Sequence, residues 1–192
     1  MDLDLRATGF CGVLLTGGTA ARMDGIDKSS LELGGRTLLE IGLDAFLDAD
    51  EVVVVGPPLV PTTRPVTFTR EDPPFGGPVA GLLTGVDALL RPPVTVGVLA
   101  VDMPHVSAHT FRRLRMAARG RDGAFVLDET GRRQLCGVLG AAALARVRPG
   151  PEELHGMAMR TLLSGLDLAE IAGIGDEARD IDTWADLRDL ES

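Results

Sequence analysis

The chain has 192 residues, of which 45% are hydrophobic and 24% are charged, and these proportions are ordinary for one globular domain. Its formal net charge of −9 at pH 7 argues against a nucleic-acid or membrane-surface binder, because proteins of those classes present a basic face. No apolar run approaches the roughly 20 residues that span a bilayer, and the acidic start lacks the plan of a signal peptide, so we expect a cytoplasmic protein.

Strand-like and helix-like patterns alternate along the chain. Apolar runs predict strands at 9–15, 51–55, 66–69 and 94–101, then an antiparallel pair at 124–127 and 134–139. Helical patterns predict helices at 37–48, 78–90, 107–119, 151–163 and 183–190. Cys11 and Cys136 lie in predicted strands, which predicts buried free thiols. The alternation predicts an α/β fold with a mostly parallel sheet, helices on both faces and one domain over residues 1–192.

Ligands of such sheets bind beyond the carboxyl ends of the strands, where loops 16–28, 70–78 and 102–106 are expected. The first loop is a candidate phosphate site: Gly17 and Gly18 let backbone N–H groups approach an anion, and Arg22 and Lys28 add positive charge. Lys28 is the single lysine among 19 basic residues, and a lysine supplies a compact point charge. The alternatives are a tight turn at the glycines and the chance survival of one lysine.

Carboxylates occupy two further positions near this edge. Asp102 directly follows the predicted strand 94–101, and one carboxylate together with phosphate oxygens is the usual way to hold Mg²⁺. A turn cap before Pro104 is the alternative. Asp180 and Asp182 precede Thr183, which is the predicted N-cap of the last helix, and both are candidate metal ligands.

The loop 70–78 is rich in proline and glycine and ends at Gly77, before a helix that is predicted to begin at Pro78. The N–H groups of that helix start should face the ligand edge. Glu71 or Asp72 is a candidate acceptor for the ring N–H and the amine of guanine. A surface loop with two solvated acids is the alternative.

Four segments, in this order, resemble the molybdenum cofactor guanylyltransferase family of the nucleotidyltransferase superfamily. They are LTGGTAARMDGIDK from Leu15, REDPPFGGPVAGL from Arg70, VDMP from Val101 and RDIDTWADL from Arg179. A fifth, GMAMRTLL from Gly156, looks like that family's late arginine-bearing helix. The resemblance covers most of the chain and implies a three-layer Rossmann-like fold of nucleotidyltransferase type.

The resemblance also implies an activity: transfer of GMP from Mg-GTP to the phosphate of molybdopterin or its molybdenum form, with release of pyrophosphate. It places Lys28 on the α-phosphate, Asp102 on Mg²⁺, and Asp180 and Asp182 at positions near the phosphate of the pterin. The residues themselves make Arg22 a further candidate catalytic residue and Asp182 a further candidate metal ligand. The nucleotide contacts that the resemblance implies are Leu15, Thr16, Gly17, Gly18, Asp72 and Gly77. It further implies that Arg160 binds the pterin, and that the protein makes transient contact with molybdoenzyme maturation proteins.

The chain departs from the family pattern at several of these positions. Thr16 replaces the usual alanine, Asp24 replaces the usual glycine after Met23, and Asp180 and Asp182 stand where asparagines are typical. Two other functions therefore stay open. One is a nucleotidyltransferase of cytidylyl, sugar-phosphate or phospholactate type. The other is a non-catalytic nucleotide-binding partner in cofactor maturation.

Overall fold

The computed structural model describes residues 8–17, 27–74 and 76–190. Its strands are β1 (Thr8–Leu15), β2 (Glu32–Leu33), β3 (Arg36–Thr37), β4 (Glu51–Val55), β5 (Thr67–Thr69), β6 (Pro93–Ala100), β7 (Gly123–Leu127), β8 (Arg133–Gly140) and β9 (Leu168–Ala172). Its α-helices are α1 (Leu38–Ala45), α2 (Pro78–Asp87), α3 (Ala108–Ala117), α4 (Ala141–Val147), α5 (Pro151–Leu154), α6 (Met159–Leu163) and α7 (Trp184–Leu190). Within these ranges no helix has the length and apolar character needed to cross a membrane.

A seven-stranded sheet runs in the order β5-β4-β1-β6-β8-β7-β9. β1 pairs in parallel with β4 and β6, β4 with β5, and β7 with β9. β8 is antiparallel to both of its neighbours, β6 and β7. A short turn joins it to β7, as an antiparallel pair allows. The predicted α/β fold with a mostly parallel sheet is confirmed, and β2 with β3 forms a separate small hairpin.

Side chains of the central strands alternate between two apolar cores, one on each face of the sheet. From β1, Phe10 and Leu14 pack in the core that includes α1 and α3, while Val13 packs in the core that includes α2. Successive side chains of a strand point to opposite faces of the sheet, so a strand covered on both faces buries its side chains in both cores. Gly12 lies under the Phe46 ring, where a Cβ would stand 2.5 Å from a ring carbon, so this position needs glycine.

Both cysteines are buried and neither is in a disulfide, as predicted from the apolar runs that contain them. Burial raises the pKa of the Cys136 thiol far above its ordinary value, so it stays protonated and packs as a small apolar group.

The prediction of one helix over residues 151–163 is wrong. The segment forms α5 and α6, with Gly156 between them at a φ of +74°, a conformation that interrupts a helix. The Gly156 amide donates to the Gly76 carbonyl at 2.8 Å, so the break places this segment against the loop that precedes α2. β9 and α4 were not predicted. β9 is half-buried and lies at the end of the sheet, so its sequence lacks a continuous apolar run.

The carboxyl ends of the parallel strands β1, β5 and β6 meet at one edge of the sheet, as predicted, so the described residues that directly follow them lie there. β7 points the same way as β6, because both are antiparallel to β8. The turn 128–132 between β7 and β8 therefore lies at this edge as well. Segments far apart in sequence thus meet at the candidate site.

Candidate active site

Lys28 lies between two carboxylates at the carboxyl edge of the sheet. Its Nζ donates to Asp102 Oδ2 and to Asp182 Oδ1, both at 2.9 Å. Lys28 opens a short 3₁₀ turn, which Asp27 caps by accepting from the Ser29 amide at 2.8 Å. The Lys28 side chain is 11% exposed, against 23% for Asp102 and 52% for Asp182, so the site is shielded on the Asp102 side and open on the other.

The segment that carries Asp182 is fixed to the end of β6. The Ile181 amide donates to the Asp102 carbonyl at 2.9 Å, and the Ile181 side chain is fully buried in the core. Immediately after it, the Thr183 amide and hydroxyl both donate to Asp186 Oδ2, at 2.7 and 2.8 Å. The Asp186 amide donates in turn to Thr183 Oγ1 at 3.2 Å, so the predicted N-cap at Thr183 is confirmed. Anchors on both sides hold Asp182 at Lys28.

Three carboxylates surround the single ammonium. Burial lowers the pKa of Lys28, but the charges and hydrogen bonds of Asp102 and Asp182 outweigh burial, and the pKa of Lys28 is raised overall. Burial raises the pKa of Asp180, and the negative charges of Asp182 and Asp102 raise it further. Lys28 thus stays protonated at neutral pH, and the centre keeps an excess of negative charge.

These residues fit a hard divalent cation. Mg²⁺ is held by one or two carboxylates together with waters and substrate phosphates, and not by a cage made wholly of protein. Asp102 and Asp182 each use one oxygen on Lys28, so each keeps its second carboxylate oxygen for a cation. In the described ranges no cluster of three or more His, Cys, Asp or Glu side chains could hold a metal by itself. The arrangement suits a cation that arrives with a polyphosphate.

The turn after β1 closes against the end of β4. The Thr16 and Gly17 amides donate to the Val55 carbonyl at 3.0 and 3.3 Å, and Thr16 Oγ1 donates to it at 3.1 Å. Gly56 has a φ of +155°, and a Cβ there would lie 1.9 Å from Thr16 Oγ1. Leu15 is buried, so its backbone alone can reach a ligand. Two other expected phosphate contacts, Gly18 and Arg22, lie outside the described residues.

In the loop before α2, Glu71 and Asp72, the two candidate acceptors for guanine, have different surroundings. Glu71 Oε2 accepts from the Gly76 amide at 2.7 Å, so this carboxylate closes the loop. Asp72 is exposed, and its side chain is available to a ligand. Gly77 has a φ of +91° and begins α2 without a side-chain cap, with Pro78 in the first turn. The remaining N–H groups of this helix start therefore face the edge.

A cavity of about 300 Å³ adjoins the carboxylates. Its polar lining consists of Asp102, Asp180, Arg132, Arg133, Gln134 and Arg160, and its apolar lining includes Met103, Phe125, Leu135, Met159 and Leu163. The resemblance singled out Arg160. Sequence reasoning missed Arg132 and Gln134, because a hairpin turn carries no sign of the sheet edge at which it lies.

Glu177 fixes the segment that leads to Asp180 against α3. Its carboxylate accepts from Thr110 Oγ1 at 2.7 Å, from Arg113 Nη1 at 2.6 Å and from the Ile174 amide at 2.8 Å. Burial raises the pKa of Glu177, but the hydrogen bonds and the Arg113 charge outweigh burial and hold that pKa below its ordinary value.

We expect Glu177→Gln to lower the free energy of unfolding at pH 7 by about 1.5–3 kcal/mol, the range for hydrogen bonds to a charged group. The folded-state pKa lies below the unfolded value, so the ionised carboxylate stabilises above the unfolded pKa near ~4.3, and that stability is lost as pH falls through the folded pKa. Urea unfolding of both proteins from pH 7 downward measures the difference, which should shrink below about pH 4.3. A difference independent of pH would contradict the role given to the charge.

Comparison with known proteins gives consistent matches over most of the chain. The family model described as MobA-like NTP transferase domain matches residues 12–169. A molybdenum cofactor guanylyltransferase from Mesorhizobium japonicum is 35% identical over 135 residues, which cover 65% of this chain and 63% of that protein. The match thus spans slightly less than two thirds of that relative. A probable molybdenum cofactor guanylyltransferase from Opitutus terrae is 33% identical over 80% of this chain and 79% of its own length.

Solved structures share the fold at lower identity. Molybdopterin-guanine dinucleotide biosynthesis protein A from Archaeoglobus fulgidus superposes with a TM-score of 0.72 at 18% identity, over 94% of this chain and 96% of that one. Rv0371c from Mycobacterium tuberculosis, in complex with manganese, gives a TM-score of 0.71 at 19% identity, over 96% and 98% of the two chains. These likenesses concern the fold alone, and the family match over residues 12–169 confirms the predicted nucleotidyltransferase type.

Proposed function

The chain belongs to the family of MobA-like NTP transferases, and on that premise we propose that it is a molybdenum cofactor guanylyltransferase. It would transfer GMP from GTP to the phosphate of molybdopterin, or of its molybdenum form, and release pyrophosphate. The observation that carries this proposal is Lys28 held between Asp102 and Asp182 at the carboxyl edge of the sheet. A cavity with arginines on its wall lies beside this ion pair and offers room for an acceptor.

The chemistry needs positioning more than proton transfer. An oxygen of the acceptor phosphate forms a bond to the α-phosphorus of GTP, and the bond from that phosphorus to pyrophosphate breaks. A phosphate monoester has its second pKa at about 6, so the attacking oxygen is already ionised at pH 7 and needs no strong general base. Lys28, whose raised pKa keeps it protonated, would hold the α-phosphate as charge builds on it.

We propose Asp102 and Asp182 as the residues that hold Mg²⁺ brought by the nucleotide. When bound, the cation neutralises charge on the triphosphate and on the departing pyrophosphate. The excess negative charge around Lys28 supports this assignment, as does the manganese complex of the Mycobacterium tuberculosis protein.

The nucleotide would lie between the turn after β1 and the start of α2. Leu15, Thr16, Gly17, Asp72 and Gly77 would line the two sides, and Gly18 and Arg22 are proposed to add phosphate contacts. The Thr16 and Gly17 amides donate to the Val55 carbonyl, so they are not available as donors to the nucleotide. Guanine's N1–H and amine are donors, and we propose the Asp72 carboxylate or a backbone carbonyl of residues 15–17 as their acceptor.

We place this activity in the cytoplasm, in one domain that spans residues 1–192, and we propose transient contacts with molybdoenzyme maturation proteins. The net charge of −9 does not favour binding to nucleic acid or to membrane surfaces, because both are negatively charged, and we propose neither as a partner.

The nucleotide preference tests the proposed function. We expect GTP with Mg²⁺ to bind well over tenfold more tightly than ATP, because the bound base would remove the proposed acceptors from water, and each acceptor that the wrong base then leaves unpaired costs about 1–3 kcal/mol. ITP lacks only the N2 amine and should be intermediate. A thermal-shift titration with GTP, ITP, ATP, CTP and UTP measures the order, since a ligand at 100 times its Kd stabilises by about 2.7 kcal/mol.

Product analysis by mass spectrometry, with purified molybdopterin and GTP, separates the alternatives. Equal affinities for GTP, ITP and ATP would overturn the guanine assignment and leave the nucleotidyltransferase fold. A preference for CTP would favour the cytidylyl type. Selective GTP binding without pyrophosphate release would favour the non-catalytic partner.

A further inference from the structure

Two arginines on the wall of the cavity have no partner for their charge among the described residues. Arg132 and Arg160 both line the cavity beside Asp102 and Asp180. In the part of the chain that the structure describes, neither guanidinium forms a hydrogen bond or an ion pair. The third arginine there differs, because Arg133 is paired with Glu170 at 2.7 Å. The cavity thus presents two free cations from separate elements, the β7–β8 turn and α6.

The turn that carries Arg132 is ordered by one carboxylate. Asp128 Oδ1 accepts from the Thr130 amide at 2.9 Å, from the Thr130 hydroxyl at 2.6 Å and from the Arg132 amide at 2.9 Å. Asp128 Oδ2 accepts from Gln134 Nε2 at 2.7 Å. These hydrogen bonds lower the pKa of Asp128, the Thr130 hydroxyl most. Asp128 therefore fixes the backbone at Arg132 and the side chain of Gln134, both beside the cavity.

The charge of the reaction centre explains why such a pair of cations is useful. Asp102, Asp180 and Asp182 supply three carboxylates, and Lys28 supplies one ammonium. An acceptor phosphate that carries up to two negative charges must approach this centre from the cavity. Without other cations the carboxylates would repel it, because like charges a few ångströms apart interact strongly near a protein surface, where the effective dielectric constant is lower than that of water.

We propose that Arg132 and Arg160 together bind the phosphate of the acceptor, with Asp128 as the residue that positions Arg132. This assignment rests on the proposed function and deepens it, because it names the residues that hold the nucleophile. Two guanidinium groups offer several N–H donors in planar forks that match phosphate oxygens. They lie on the cavity side of Asp102 and Asp180, where they hold the acceptor while Lys28 holds the nucleotide.

Steady-state kinetics with purified molybdopterin and GTP tests the assignment. We expect Arg132→Gln to raise the KM for molybdopterin about 10- to 100-fold, the range for losing a hydrogen bond to a charged group, with the KM for GTP unchanged. Replacing both Arg132 and Arg160 with glutamine should raise the KM for molybdopterin further than either single change. Arg119→Gln removes the same charge from an exposed position at the end of α3 and serves as the matched control, with both constants as in the wild type.

The outcomes separate this assignment from the proposed function. If the wild-type protein makes no guanylylated product, the proposed function fails and the acceptor assignment fails with it. If the wild type is active and Arg132→Gln leaves the molybdopterin KM unchanged, the assignment alone is overturned. It is equally overturned if Arg132→Gln raises the KM for GTP as much as that for molybdopterin, because the arginine would then serve the nucleotide.

The positioning role of Asp128 has its own readout. Asp128→Ala should raise the KM for molybdopterin several-fold, while kcat at saturating acceptor and the KM for GTP stay near the wild-type values. Asp128→Asn keeps one oxygen for the Thr130 and Arg132 amides and should recover most of the loss. If Asp128→Ala lowers kcat and raises the KM for both substrates, and Asp128→Asn restores none of these constants, the role of Asp128 is merely structural and this part of the proposal is overturned.

Discussion

Replacing Lys28 with alanine should lower kcat about 10²- to 10³-fold, the scale for losing one preorganised group that stabilises charge in the transition state. The reason lies in the geometry: Lys28 is the one cation in contact with both Asp102 and Asp182 in the described part of the chain. Without it, three carboxylates face the triphosphate. Release of pyrophosphate at saturating Mg-GTP and acceptor measures the effect, and the exposed variant Arg119→Ala should keep wild-type turnover.

Lys28→Arg should recover little of this loss. The lysine ammonium is a compact charge that two carboxylates contact at 2.9 Å each, and its side chain is only 11% exposed. A planar guanidinium is wider and cannot occupy the same point. Full activity in Lys28→Arg would show that the single lysine of the chain is an accident of composition.

Asp102→Asn should raise the Mg²⁺ concentration for half-maximal activity at least about 10-fold. Removing a residue that only supports a metal ligand already lowers metal affinity or activity about 10- to 100-fold. Asparagine keeps one oxygen but loses the charge that attracts the cation. The fold should survive, because the Ile181 amide bonds to the backbone carbonyl of residue 102 and not to its side chain. A titration of activity with Mg²⁺ measures the Mg²⁺ dependence, and circular dichroism checks that the variant is folded.

Asp182→Asn provides the graded comparison. Its side chain is 52% exposed, against 23% for Asp102, so solvent screens its charge more and the shift in Mg²⁺ dependence should be smaller. An unchanged Mg²⁺ dependence in Asp102→Asn would remove that residue from the metal site. A larger effect of Asp182→Asn than of Asp102→Asn would reverse the proposed order of the two ligands.

The local patterns in the sequence predicted most of the sheet. Continuous apolar runs located β1, β4 and β6, because strands buried on both faces must be apolar at nearly every position. Thr37 and Thr183 marked helix starts, because an N-cap uses only the residues within one turn of it. The continuous helix over 151–163 was wrong because its interruption depends on Gly156 contacting Gly76, a residue distant in sequence.

The candidate site shows the same division. The sequence could single out Lys28, Asp102 and Asp182 one at a time, each from its own neighbours. It could not choose between Glu71 and Asp72, because that choice depends on which carboxylate closes the loop onto Gly76. It could not find Arg132, because the turn 128–132 reaches the site only through the antiparallel pairing of β8 with β6.

The alternation of strands and helices, and the edge of the sheet at which a ligand is expected, could be predicted from the sequence alone, because they follow from local periodicity and from the direction of parallel strands. The tertiary structure was needed to bring the Lys28 ammonium into contact with Asp102 and Asp182, and to place two arginines that have no partner within the described residues on the wall of a cavity that Asp102 also lines. Electrostatic energy depends on distances of a few ångströms and on burial, and residues as far apart in the chain as 28 and 182 acquire those only when the sheet has formed.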